Sequence, residues 1–216
     1  MKNQNVNRIT GFIMPVGNGA VGKTSVSRAL DSASRGGNSN EKILHEVRKT
    51  KNLEFEYVVT DQTQGKTRYA VTLQFLVPPG QKHSEGDPTG RSFERVIEIY
   101  RSTIRRVDVV LFTYDLASRE TFLDLGYWVV AVAELLNDAT HFILLGTHLD
   151  RVNELDVSAD EIENGLEHLR RELLRVRPSW RGNCARLEVS NLTGENLDLL
   201  LRYLAGSVIG SRLLIP

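Results

Sequence analysis

The chain has 216 residues, with 27 basic and 27 acidic side chains and a formal net charge of zero. That length suits a single domain spanning 1–216 with a core that needs no staples, and the neutral balance excludes a long-range field for holding nucleic acid or an anionic membrane. The single cysteine, Cys184, excludes an intramolecular disulfide and points to a reducing, cytoplasmic compartment.

Residues 9–16 are mostly apolar and predict a buried strand. Residues 23–33 follow as a helix, with Val26, Ala29 and Leu30 on one side. The polar stretch 34–51 is long for a connection, and long ordered connections are usually functional. Residues 53–60 and 67–77 predict two strands joined by a turn at 61–66 around Gly65, hence an antiparallel hairpin. Pro78, Pro79 and Gly80 end the second strand, and 81–90 is a second polar loop. Helical spacing runs over 92–106 through Phe93, Val96, Ile97, Tyr100 and Ile104. Then come a strand at 107–115, a helix at 118–136, a strand at 140–146 and a helix at 158–176, where Ser158 and Glu161 have capping-box spacing. The last strand is 185–189, and the last helix is 194–204, with an extension to Val208 left open. One hairpin in an alternating series predicts an α/β fold: a six-stranded, mostly parallel sheet with one antiparallel strand and helices on both faces.

No apolar run reaches the length of a membrane span, since Asp108 interrupts 107–114 and Glu134 interrupts 128–136. Residues 1–5 lack a signal-peptide core, position 2 is not glycine, and the last four residues hold no cysteine to prenylate. The expectation is no direct membrane anchor.

Residues 17–24, Gly-Asn-Gly-Ala-Val-Gly-Lys-Thr, fit G-x-x-x-x-G-K-[ST] between a predicted strand and a predicted helix. Such glycines let backbone N–H groups turn inward around phosphate oxygens, and the following helix presents its positive end to the same anion. The candidate ligands are Asn18, Gly19, Ala20, Val21, Gly22, Lys23, Thr24 and Ser25. Lys23 reaches the terminal phosphates in this reading, and the Thr24 hydroxyl goes to Mg²⁺. The competing reading is a chance glycine-rich turn. The loop alone chooses neither adenine nor guanine.

Thr147, His148, Leu149 and Asp150 stand at the C-terminal end of a predicted strand, the edge where open α/β sheets bind ligands. A carboxylate at Asp150 accepts from the N1 and N2 donors of guanine, a pair that adenine lacks. Its competing role is to cap the next segment. Ser190, Asn191, Leu192, Thr193, Gly194, Glu195 and Asn196 follow the last strand.

These segments carry a family resemblance. Residues 190–196 resemble the Ser-Ala-Lys-Thr-Gly-Glu-Asn box of Ras- and Rab-type small GTPases, and 147–150 are similar to their Asn-Lys-x-Asp box. Tyr114 to Phe122, followed by Trp128, looks like the Rab-type strand-to-helix segment. The resemblance covers nearly the whole chain in the family's order. It implies a switch that binds GTP or GDP with Mg²⁺ and hydrolyses GTP slowly. Switch loops at 34–52 and 78–90 would meet protein effectors and regulators. Thr50 matches the first-switch threonine that contacts Mg²⁺ and the γ-phosphate, with Thr60 and Thr63 as alternatives and a solvated loop residue as the competing reading. Gly80 matches the second-switch glycine, whose amide binds the γ-phosphate, and Gln81 the glutamine that orients the attacking water.

Several positions depart from the family pattern. Val77 stands where the second-switch aspartate normally holds a Mg²⁺-bound water, so the metal would rest on Thr24, the phosphates, water and Thr50. Bacterial polarity GTPases of the gliding-motility type also carry Pro-Gly-Gln here, and the resemblance points toward that branch. Thr147 and His148 replace the usual Asn and Lys, and His148 is placed to stack on the base. Asn191 and Leu192 replace Ala and Lys, yet the key contact to the guanine oxygen is a backbone N–H that either supplies. Gly19 is compatible with turnover. Arg91, Arg95, Arg101 and Arg105 read as solvated helix charges, with a transition-state arginine as the alternative. His45, His83, His141 and His168 show no metal-ligand clustering, and Phe12, Phe112, Phe142 and Trp128 read as core. Two rivals stay open: a nucleotide-holding scaffold with little or no hydrolysis, which Val77 favours, and an ATPase or kinase, against which Asp150 and the 190–196 box argue.

Overall fold

The computed structural model describes residues 6–35, 54–80, 92–102, 104, 106–151 and 153–213. Six strands form one sheet: β1 (Val6–Val16), β2 (Glu54–Gln64), β3 (Thr67–Val77), β4 (Val109–Asp115), β5 (His141–Thr147) and β6 (Cys184–Glu188). Their spatial order is β2-β3-β1-β4-β5-β6. Only β2 and β3 pair antiparallel. The α/β fold expected from the sequence is the one observed.

Period-two alternation divides the strand side chains between two cores. Ile13, Leu111 and Ile143 face one side with Val26 and Leu30 of α1 (Lys23–Ser34). Met14, Phe112 and Phe142 face the other, where Trp128, Val129, Leu169 and Leu173 cover them. The helices on that second side are α2 (Phe93–Tyr100), α3 (Arg119–Leu123), α4 (Leu125–Val132) and α5 (Ala159–Val176). The helix α6 (Leu197–Leu213) joins α1 on the first side, through Leu200, Leu204 and Val208. Covered on both faces, β5 is buried along its whole length, which is why 142–145 reads as an uninterrupted apolar run. Phe112, Phe142 and Trp128 are fully buried as expected, and Phe12 is partly buried. No described helix is long and apolar enough to cross a membrane.

Several boundaries differ from the sequence reading. The strand expected at 53–60 runs on to Gln64, which pairs with Thr67, so the turn shrinks to Gly65 and Lys66. Gly65 takes φ 58°, the left-handed geometry of a tight hairpin. Polar Asp61 and Gln64 are tolerated there because β2 is the sheet edge and half of each residue pair faces water. The helix expected over 92–106 spans only Phe93–Tyr100; it starts one residue late because Ser92 is its N-cap, with its hydroxyl accepting the Arg95 N–H at 3.3 Å.

The helix expected over 118–136 is broken at Asp124 and closes in a 3-10 turn over Ala133–Leu135. The last helix begins three residues later than expected because Gly194 and Asn196 adopt positive φ, 84° and 61°, outside a right-handed helix. It also continues to Leu213, anchored by Asp108 at the sheet end opposite the phosphate loop. The buried Asp108 carboxylate accepts from the Phe12 N–H at 2.8 Å, Arg106 at 2.6 Å, and Ser211 and Arg212 of α6 at 3.2 and 3.4 Å. The capping box at Ser158 and Glu161 is present in both directions.

Candidate functional site

The sheet order puts β1 between β3 and β4, so connections leave β1 in opposite directions and open a crevice at the C-terminal strand ends. The loop 17–22 fills that crevice. Its backbone is special at three points: Gly17 with φ 145°, Ala20 with φ 65° and Gly22 with φ 87°. A Cβ on Gly17 would sit 2.1 Å from the Thr113 carbonyl oxygen of β4, so the close approach of loop to sheet requires glycine.

Gly22 then starts α1, whose first turn carries no acidic side chain. Lys23 and Thr24 are both buried, as is Val21, whereas Gly19 and Ala20 are exposed and Asn18 and Ser25 are half-buried. The Lys23 ammonium donates to two carbonyls of its own loop, Gly17 at 2.8 Å and Asn18 at 2.6 Å. Burial pushes its pKa down from 10.5 to about 7. A buried ammonium that meets only carbonyl dipoles among the described residues, at the mouth of a crevice and a helix N-terminus, fits an incoming anion. Gly80 closes over the same spot: a Cβ there would lie 2.3 Å from Lys23 Nζ and 2.6 Å from the Asn18 carbonyl oxygen.

Asn18 is clamped from the other side. Its amide donates to Asp124 at 2.6 Å and accepts from the Trp128 indole N–H at 2.9 Å. Trp128 in turn meets Phe93 edge-on, 5.3 Å between ring centroids, which joins the loop to α2. Sequence reading assigned Trp128 to the core and gave Asp124 no part. The only available signal was an aspartate breaking an otherwise apolar helix. Asn18→Ala would strip a buried indole N–H of its acceptor, at a cost of about 1–3 kcal/mol. Chemical denaturation of the nucleotide-free protein should show that loss, with Asn18→Asp as a control that keeps the acceptor but faces Asp124 with a like charge.

On the far side of the loop, Thr147 is fully buried. Its hydroxyl lies 2.9 Å from the Val21 carbonyl oxygen and 3.0 Å from that of Tyr114, linking the loop to β4 and β5. His148 follows with φ 60°, and its Nδ1 lies 3.1 Å from an Asp115 carboxylate oxygen. Asp150 accepts a hydrogen bond from the Ser190 hydroxyl. That hydroxyl accepts in turn from the Leu192 and Thr193 N–H groups at 3.2 and 3.0 Å. Asn191 is buried beside Gly22, and Leu192 is exposed. The structure therefore brings together Asn18 to Ser25, Gly80, Thr147, His148, Asp150 and residues 190–192.

Other expectations fall elsewhere. Thr50, Gln81, Arg91, Arg105, His45 and His83 lie outside the described residues, as do most of the two switch segments. Thr60 and Thr63 are corrected: they pair with Val71 and Arg68 inside the hairpin. At about 3.3 Å per residue that is roughly 20–30 Å from the loop end of β3, because the edge strand absorbs them into its ladder. Arg95 pairs with Glu98 and Arg101 with Glu134 on the surface. Val77 is buried in the core at the end of β3. Among the described residues no three of His, Cys, Asp and Glu cluster as a metal site.

Comparison with known proteins bears on the family. The Ras family model matches residues 89–175. Human EF-hand calcium-binding domain-containing protein 4B is 31% identical over 150 residues, covering 67% of this chain and 17% of that protein. Human Ras-related protein Rab-44 is 31% identical over 67 residues, 31% of this chain and 7% of its own length. The chain thus spans a small part of either relative. With its sheet order and its strand–loop–helix at Lys23, it carries a Ras-family small GTPase domain.

Proposed function

We propose that this domain is a guanine-nucleotide switch that binds GTP and GDP with Mg²⁺ and hydrolyses GTP slowly. The observation that carries the reading is the buried Lys23 ammonium, bonded to two loop carbonyls and roofed by Gly80, with the Asp150–Ser190 pair on the same crevice edge. Phosphate would replace the Gly17 and Asn18 carbonyls as the partner of Lys23, and the inward N–H groups of 18–25 would take the remaining oxygens. Asp150 would accept from guanine N1 and N2, held in place by Ser190. The backbone N–H groups of Asn191 and Leu192 and the ring of His148 would bound the base. Mg²⁺, which neutralises charge on the phosphates, would be held by Thr24 and Thr50. Gln81 would orient the attacking water, and Gly80 would donate its amide to the γ-phosphate.

The state of the γ-phosphate would then set the order of 34–52 and 78–90, the surfaces offered to effectors and regulators. The whole chain, 1–216, forms one domain in this reading. Its setting is a reducing cytoplasm, where Cys184 stays a thiol whose pKa burial pushes up to about 12.

A second reading, a nucleotide-holding scaffold, is favoured by one observation. Val77 is apolar and fully buried, so the end of β3 offers no carboxylate to a Mg²⁺-bound water. Single-turnover hydrolysis in excess Mg²⁺ separates the two. The switch reading expects slow release of phosphate by the wild type and a further drop of about tenfold or more in Gln81→Leu, the scale expected for loss of a water-positioning group. No release above buffer by either protein would leave the scaffold.

A further inference from the structure

Asn191 is an amide with unfinished hydrogen bonding. It is 6% exposed, and its Oδ1 is buried with no hydrogen-bond partner among the described residues. Its Nδ2 lies against the phosphate loop, 3.0 Å from where a Cβ on Gly22 would be. The Thr147 methyl lies 3.6 Å from the same point, so the amide and Thr147 share one wall beside the loop. Asn191 follows directly on Ser190, which holds Asp150. A buried polar atom left unpaired costs about 1–3 kcal/mol, and no described partner of Oδ1 fixes which end of the amide faces the crevice.

The division of labour between the neighbours is visible in the contacts. Thr147 has committed its hydroxyl to the Val21 and Tyr114 carbonyls, which leaves a methyl toward Gly22 and no donor for a base. Asp150, an acceptor, suits the N1–H and N2–H₂ edge of guanine. The opposite edge of guanine carries N7 and O6, both acceptors. Among Thr147, Asp150 and Asn191, only Asn191 has an uncommitted amide of the right chemistry for that edge. An amide can turn half a revolution about its last bond to present NH₂ instead of oxygen.

We infer that the Asn191 side chain is a purine-binding contact, with Nδ2 donating to N7 of the bound purine. This rests on the guanine reading above and adds to it a side-chain role beyond the backbone N–H. It has a consequence for selectivity. Adenine offers N7 and a 6-amino donor, a pair that an asparagine amide matches with both its groups. Asn191 therefore strengthens purine binding without favouring guanine, and rejection of adenine falls to Asp150.

The test compares GTP with 7-deaza-GTP, in which a carbon replaces N7, on the wild type and on Asn191→Ala in Mg²⁺. The wild type should bind 7-deaza-GTP about three- to tenfold more weakly than GTP, the yield of one hydrogen bond. Asn191→Ala should lose a similar factor for GTP, bind the two analogues alike, and keep or raise its GTP-over-ATP ratio. Equal binding of the two analogues by the wild type would overturn the inference while leaving guanine binding intact. So would a 7-deaza penalty that persists in Asn191→Ala. A wild type that binds neither GTP nor GDP would overturn both readings together.

Discussion

Lys23→Met is expected to reduce GDP and GTP affinity by about a hundredfold, the scale of roughly 3 kcal/mol for lost charge-assisted hydrogen bonds. The same substitution should leave the nucleotide-free protein as stable as before or more so, because it removes a buried ammonium held by two loop carbonyls. Opposite signs on binding and stability are hard to obtain from a residue with a purely structural role. The pH dependence follows from the same burial. Lys23 titrates near 7 in the folded chain against an ordinary 10.5, so between these values the unfolded chain binds more protons. Stability of the nucleotide-free protein should therefore rise with pH from 7 toward 10.5, by up to about 1.4 kcal/mol per unit, and this contribution is lost as pH falls through 7. A bound phosphate favours the charged amine and raises its pKa. Nucleotide affinity should accordingly fall as pH rises above 7. Denaturation and equilibrium binding from pH 6.5 to 9, on wild type and Lys23→Met, read both slopes, and both should vanish in the variant.

Asp150→Asn is the second large effect. Ser190 can still donate to the side-chain oxygen, which leaves the new NH₂ to face the base. That NH₂ would oppose the guanine 2-amino group but complement the 2-oxo group of xanthine. GTP affinity should drop by about a hundredfold or more, as sites built on a buried polar pair reject ligands that leave it unpaired. Xanthosine triphosphate should gain by comparison. Competition between the two nucleotides on wild type and variant measures the exchange, and an unchanged preference would remove Asp150 from the base edge.

Much of this architecture was legible in the sequence because its signals are local. The run before Gly17 is apolar since β1 is covered on both faces, and the glycine spacing follows the positive φ values of a short local loop. The capping box at Ser158 depends on two residues three apart. What was misread depends on partners far along the chain. The break at Asp124 coincides with its carboxylate accepting from Asn18, 106 residues away, and α6 reaches Leu213 where Asp108 holds its last turn. The edge position of β2, which decides the fate of Thr60 and Thr63, is a property of strand order. Within the site, the loop and the Asp150–Ser190 edge were readable from motifs. The Asn18 clamp to Asp124 and Trp128 was not, and neither was the unpaired amide of Asn191. The assignments of Thr50 and Gln81 rest on the family resemblance, and both residues lie outside the described ones.

Base recognition by the crevice that Lys23 and Asp150 share is what would make this domain a guanine-nucleotide switch. The direct measurement is displacement of a fluorescent GDP analogue from the wild-type protein in Mg²⁺ by unlabelled GTP, GDP and ATP. GTP and GDP should displace it at concentrations at least about a hundredfold below that needed for ATP, since only guanine offers Asp150 two donors. Equal displacement by ATP would contradict the guanine assignment and with it the proposed switch.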